Sequence, residues 1–196
     1  MKKKVTLVTL NAWPNAIPLV SGYLKSSACQ LPEITDYWEF EFYNNVAAMP
    51  MSEFLEDMIN AQADVYAISC YIWNMGTVKR IIFDLLDANP SAQILLGGPQ
   101  VANHAHKYLR PEYENTAVCN GEGEITFRHY LKALMAQPVD LNTVQGLSFY
   151  RNGVLVTTEK EQRIKHFDDI PSPFLSGLFD EEQYEFAFLE TTRGCP

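Results

Sequence analysis

The chain has no run approaching the ~20 apolar residues of a membrane span, and its only basic run, Lys2-Lys3-Lys4, lacks the apolar stretch a signal peptide needs. Cationic side chains are scarce: 15 Lys and Arg stand against 24 Asp and Glu, a net charge of -9. That balance argues against a binder of phosphate backbones, so nucleic acid is not an expected partner, nor is a membrane. The four cysteines, Cys29, Cys70, Cys119 and Cys195, are too widely spaced to imply a zinc site or a disulfide framework. Three of them lie in apolar or strand-like surroundings, where buried free thiols are expected, and a reducing cytoplasm fits that usage. Glycine is missing from Asn11-Ala12-Trp13-Pro14-Asn15, where a nicotinamide site would place G-x-G-x-x-G after a first strand. The same segment lacks the acidic residues of a response regulator and the Ser/Thr/Gly richness of a flavodoxin-type flavin loop.

What is present is a globular composition, 47% hydrophobic and 20% charged over 196 residues, enough to bury a core. Short apolar runs alternate with amphipathic ones. Val5 to Leu10 reads as a first strand, and Ile17, Val20, Tyr23 and Leu24 then recur at helical spacing. Trp38 to Tyr43 reads as a second strand, and Ser52 as the cap of a helix through Ala61. Val65 to Ser69 is a third strand, followed by a helix from near Thr77 to Ala88 that Asn89-Pro90 ends. Gln93 to Leu96 is a fourth strand, a short helix is expected over Ala102 to Leu109, Thr116 to Cys119 is a fifth strand, and Glu124 to Ala136 is helical.

Strand-then-helix alternation implies an α/β fold: a five-stranded, parallel, doubly wound sheet with right-handed crossovers. In such sheets ligands sit beyond the carboxyl ends of the strands. That rule selects Asn11 to Asn15, Ser69 to Asn74, Gly97 to Gln100 and Asn120 to Glu124. After Pro138 the pattern changes: Gly146 to Tyr150 and Val154 to Thr158 flank Arg151-Asn152-Gly153, a strong hairpin signal. The run Asp168 to Pro173 is an extended linker. Phe186-Ala187-Phe188-Leu189-Glu190 alternates like a short strand, and Thr191 to Pro196 turns off its end.

Four features together resemble a known family. Ser69-Cys70-Tyr71 stands after the third strand, Leu96-Gly97-Gly98-Pro99 after the fourth, Gly121-Glu122-Gly123-Glu124 after the fifth, and Arg193-Gly194-Cys195-Pro196 follows the last apolar run. The chain resembles, over essentially all its length, the N-terminal cobalamin-binding half of cobalamin-dependent radical S-adenosylmethionine enzymes, the group that includes the anaerobic magnesium-protoporphyrin ester cyclase and many methyltransferases. The resemblance implies a flavodoxin-like cobalamin-binding domain over 1–138, a hairpin and linker over 139–185, and the opening of a radical domain over 186–196. Cys195 then corresponds to the first cysteine of CxxxCxxC. One thiolate cannot hold a [4Fe-4S] cluster alone, so the cluster and S-adenosylmethionine belong to a longer protein, the fragment alone is expected to be inactive, and the radical domain is its partner in cis.

For cobalamin the resemblance implies contacts from Asn11, Ala12, Trp13 and Pro14, from Ser69, Cys70, Tyr71, Trp73 and Asn74, from Gly97, Gly98, Pro99 and Gln100, and from Gly121, Glu122, Gly123 and Glu124. The glycines remove side-chain bulk where a nucleotide tail slides against strand ends. Trp13 and Trp73 wall the corrin or its tail, or cover the sheet end. Glu122 and Glu124 bond corrin amides, or answer a helix dipole. The chain departs from the family at Asn11-Ala12-Trp13, which stands where many members have D-x-H, so no histidine lower ligand to cobalt is expected. His104, His106, His129 and His166 are read as peripheral. Two other functions remain compatible with the residues: a degenerate domain that only docks or recruits a substrate, and an unrelated flavodoxin-like binding module.

Overall fold

The computed structural model describes residues 1–191. Its elements are β1 (Lys3–Asn11), α1 (Leu19–Ala28), the short α2 (Pro32–Tyr37), β2 (Trp38–Val46), α3 (Met51–Ala61), β3 (Val65–Ser69), α4 (Met75–Ala88), β4 (Gln93–Gly97), β5 (Thr116–Cys119), α5 (Gly123–Met135), β6 (Leu147–Arg151) and β7 (Val154–Thr157). They build one sheet in the order β2-β1-β3-β4-β5-β6-β7. The first five strands of that order pair in parallel, so the strand order reverses between β1 and β3, where such folds open a crevice.

The hairpin is part of this sheet rather than an appendage to it. β6 pairs antiparallel with β5, setting Phe149 opposite Ala117 and Leu147 opposite Cys119, which extends the expected five strands to seven. Leu147 and Phe149 are buried there, and burial of those alternate apolar residues is what seats the hairpin on the β5 edge. Asn152 and Gly153 turn it with φ of 50° and 74°, the left-handed pair a tight two-residue turn needs.

Alternation along the strands divides the core between two faces. Val8, Leu10, Ile68 and Leu96 pack against Phe54 and Met58 of α3 and Val78 and Ile82 of α4. Leu7, Ala67, Leu95 and Ala117 pack against Phe127 and Leu131 of α5. α1 lies on this second face beside α5, yet its buried residues are Ser21, Gly22, Ser26, Ser27 and Ala28. Of its larger apolar residues only Leu24 packs against that core, and Val20 stays 40% exposed.

Local differences have local causes. α3 begins at Met51 behind Pro50, with no side-chain cap, so Ser52 lies inside the first turn instead of capping it. Val101, Ala105 and Leu109 keep helical spacing and are buried, but Asn103 at φ 61° interrupts the segment and leaves one 3-10 turn, Ala105–Lys107. The expected strand at Phe186 is a single bridge to Ala16. With only that one pairing, Phe186, Phe188 and Leu189 stay 51%, 48% and 76% exposed.

Residues 159–185 form a packed strap, not a free linker. The Glu122 carboxylate accepts from Ile164 N at 2.7 Å. Farther on, Pro173 and Phe179 press on α1 so closely that a Cβ at Gly22 would lie 2.4 Å from the Phe179 ring and 2.9 Å from Pro173 Cβ. Phe179 also meets Phe42 at a tilt and Phe174 and Tyr184 in T-shaped, edge-to-face contacts. The strap ends where Glu185 N donates to Asn15 O and Ile17 N to Phe186 O, each at 2.9 Å. Among the described residues no helix is long and apolar enough to cross a membrane.

Candidate cofactor groove

The carboxyl ends of β3, β4 and β5 open into a groove of about 650 Å³. Its floor is the α1/α5 face of the sheet: Ala67 and Ser69 from β3, Leu95 and Gly97 from β4, and Cys119 from β5. Ser69 and Gly97 are in register and Cys119 lies beside Gly97, so the row at the strand ends carries only a hydroxymethyl group, a glycine and a thiol. The walls are Leu19, Val20, Tyr23 and Leu24 of α1 and Glu124 and Phe127 of α5. Leu19, Val20 and Tyr23 of α1 therefore face this groove instead of the core, and Leu24 borders both. Residues 188–191 close one side of the mouth.

A smaller compartment of about 260 Å³ adjoins it at the ends of β1 and β3, sharing Leu19, Val20, Ser69, Tyr71 and Phe188. Ala12, Trp13 and Trp73 line it, with Asn11 at its edge. Tyr71 and Trp73 stack with centroids 4.5 Å apart and planes 4° from parallel, and Trp73 Nε1 donates to Leu10 O at 3.0 Å. The pair is therefore a fixed, half-open aromatic ledge between the two strands. Neither compartment is lined by a Lys, Arg or His among the described residues.

The two glycines at the end of β4 do different work. Gly98 has φ 105°, and a Cβ there would sit 2.6 Å from Cys70 O, so its lack of a side chain lets one loop lie on the other's backbone. Gly97 has only Cys119 Cβ near its open position, at 3.9 Å, and it is the glycine that keeps the floor clear. Gly123 lets α5 approach α1, its open position lying 3.1 Å from Leu24 Cδ2.

The structure brings together Ala12, Trp13, Ser69, Tyr71, Trp73, Gly97, Gly98, Gly121, Glu122, Gly123 and Glu124 around these two compartments. It turns others away. Cys70 follows Ser69 and so points to the opposite face, buried in the α3/α4 core with its thiol pushed up by burial to about 12. Asn74 is fully buried and is a staple: its Nδ2 donates to Ser69 O and Leu10 O, and its Oδ1 accepts from Tyr71 N. Gln100 donates to Tyr108 OH, and neither it nor Pro99 lines the groove. Pro14 lines a separate cavity beside β2. Glu122 holds the strap instead of capping α5, whose start has no side-chain cap. Cys195 lies outside the described residues.

Sequence reasoning missed the α1 wall, Phe127, Phe188 and Cys119. Cys119 is buried on the floor, its thiol likewise raised by burial to about 12, and so it is a neutral, unreactive lining group. His104, His106, His129 and His166 all sit away from both compartments.

The floor of the groove and its α1 and α5 walls, which adjoin the smaller compartment at the strand-order reversal, fall within residues 14–131, the span that matches the B12 binding domain. The chain belongs to the B12-binding domain family. Among its relatives, the cobalamin-dependent radical SAM methyltransferase TokK of Streptomyces tokunonensis is 31% identical over 202 residues, 99% of this chain and 29% of TokK. The 2-(S-pantetheinyl)-carbapenam-3-carboxylate methyltransferase of Streptantibioticus cattleyicolor is 29% identical, again over 99% of this chain and 29% of the relative. The solved structure of OxsB, a cobalamin-dependent S-adenosylmethionine radical enzyme with aqua-cobalamin and S-adenosylmethionine bound, superposes with a TM-score of 0.75 at 22% identity, covering 99% of this chain and 27% of that one. The chain thus spans less than a third of the length of these proteins.

Proposed function

We propose that the groove holds cobalamin and that residues 1–138 are the cofactor-binding domain of a longer radical S-adenosylmethionine enzyme, a methyltransferase or a catalyst of radical rearrangement or cyclisation. The observation that carries this reading is the floor: Ala67, Ser69 and Gly97 leave the strand ends bare between two helices, where a flat or elongated ligand can lie against backbone. Leu19, Val20, Leu24 and Phe127 would bury its apolar part. The Tyr71–Trp73 ledge and Trp13 would flank the corrin at the mouth, and Ser69 would offer its hydroxyl. Bound there, cobalamin would supply a cobalt centre able to carry a methyl group or support radical chemistry.

Asn11-Ala12-Trp13 and the remote histidines support a lower cobalt face without a protein imidazole. In this reading residues 139–185 are hairpin and strap, and 186–196 open the radical domain, with Cys195 the first of three thiolates for a [4Fe-4S] cluster that binds S-adenosylmethionine. The neutral buried thiols of Cys70 and Cys119 suit a reducing cytoplasm.

The test is titration of the purified chain with hydroxocobalamin, followed by absorption and gel filtration. Stoichiometric co-elution of a cobalamin spectrum is the expected result. A folded chain that never retains cobalamin would move the assignment to a degenerate docking scaffold.

A further inference from the structure

Across the β1 loop from the cofactor groove lies a third cavity, also about 650 Å³, between the ends of β1 and β2 and the strap. That size lies within the range of small-molecule sites. Its polar lining is dominated by carboxamides: Asn11, Asn15, Asn44, Asn45 and Gln183, joined by Asp180 and Tyr184. Phe42, Val46 and Leu178 give it an apolar base, and no Lys, Arg or His lines it among the described residues.

The internal hydrogen bonds use these amides unevenly. Asn44 Nδ2 donates to Ala16 O at 2.9 Å, which turns its Oδ1 toward Asn11 Nδ2 at 2.8 Å. Asn11 Nδ2 also donates to Ala16 O. Asn15 Nδ2 donates to Glu185 Oε1 at 3.1 Å, and Gln183 Nε2 to Asp180 Oδ2 at 3.0 Å. Asn11 Nδ2 spends both its N–H groups on the protein, Asn15 Nδ2 and Gln183 Nε2 spend one each on a carboxylate, and the carbonyl oxygens of all three have no protein donor among the described residues. The cavity therefore presents three open carbonyl acceptors and the Asp180 carboxylate, with one N–H still open on each of Asn15, Asn44, Asn45 and Gln183 and no cation among the described residues. A ligand with N–H groups would satisfy those acceptors, whereas an anion would meet unpaired carbonyls and Asp180.

We propose that this cavity is a second ligand site, for a group that presents N–H donors and carries no negative charge. Asn11 lines both this cavity and the smaller compartment, so a molecule seated here can extend toward the groove mouth. On the radical-enzyme reading above, on which this link alone rests, the ligand is the part of the substrate remote from the reacting carbon.

The test is nuclear magnetic resonance titration of the isotope-labelled chain with N-acetylglycinamide, with glycinamide, and with N-acetylglycine as the anionic counterpart. The first two should shift the side-chain amide signals of Asn11, Asn15 and Gln183 saturably, and the anion should bind at least about tenfold more weakly, one decade in affinity. Gln183→Leu, and Asn15→Gly at a position whose φ of 54° glycine tolerates, should each weaken the neutral amide about tenfold and leave cobalamin affinity unchanged. Gly97→Val should do the reverse. Equal binding of the anion, or shifts indifferent to both variants in a folded protein, would overturn the site. Loss of cobalamin binding with the amide titration intact would instead overturn the proposed function alone.

Discussion

Gly97 ends β4 over open floor, whereas Gly98 is wedged on the Cys70 carbonyl, and the two should therefore fail differently when enlarged. Gly97→Val places a branched side chain in the groove with the strand intact. Overpacking a tight contact costs ~1–3 kcal/mol, so cobalamin affinity should fall by roughly five- to a hundredfold while thermal unfolding barely moves, with His104→Ala as the neutral control. Gly98→Val adds left-handed strain to a backbone clash and should lower stability by about 2 kcal/mol or more. A Gly97→Val protein with unaltered affinity would detach the groove from the cofactor. The buried thiols make a second test. Cys70 and Cys119 titrate near 9.0 when unfolded and at about 12 when folded. Their protonated forms therefore stabilise the fold fully below pH 9.0, and that contribution is lost as pH rises toward 12. The urea midpoint should decline across that window, and Cys70→Ala should flatten the decline; an identical slope in the variant would refute the assignment. At this scale the motifs marked the place but not the direction of side chains. Ser69 and Cys70 are neighbours, and a period of two sends only the first to the groove. Asn74 looked like a rim residue because nothing local reveals that Leu10 O and Ser69 O wait for its amide.

α1 meets β1 through Ser21, whose hydroxyl pairs with that of Thr9, turns Gly22 to the strap, and lines the groove with Leu19, Val20, Tyr23 and Leu24. The periodicity of Ile17, Val20, Tyr23 and Leu24 announced a helix without saying that what it faces is a cavity. The small residues between them carried that information, since a helix seated on serine and glycine does not need its larger side chains for packing. The strap was hidden for a related reason. Prolines and polar residues over 159–185 read as extended chain, and only the fold brings Pro173 and Phe179 onto Gly22. Gly22→Val should therefore push the strap off α1, cost about 1–3 kcal/mol, and open residues 159–185 to limited proteolysis. Unchanged cleavage with unchanged stability would mean the strap does not depend on this contact.

The parallel strands, the two layers of helices and the strand ends as the ligand face follow from the alternation of runs, and the central strand β3 is buried along its whole length as such a sheet requires. The hairpin was legible but its docking on the sheet was not, because pairing of Leu147 and Phe149 with β5 is a contact between segments that sequence spacing does not link. With all four histidines remote from both compartments, bound cob(II)alamin should show no axial nitrogen splitting in its electron paramagnetic resonance spectrum. Splitting that vanishes in a histidine variant would locate an unforeseen ligand. The arrangement also sets two rates of opening. The floor lies in the central β3–β4 ladder, whose amides should exchange with solvent only when the whole sheet opens, whereas the mouth is edged by a segment held to residues 15–17 through isolated bonds. A ligand can therefore enter and leave on the timescale of a fraying chain segment without asking the sheet to unfold.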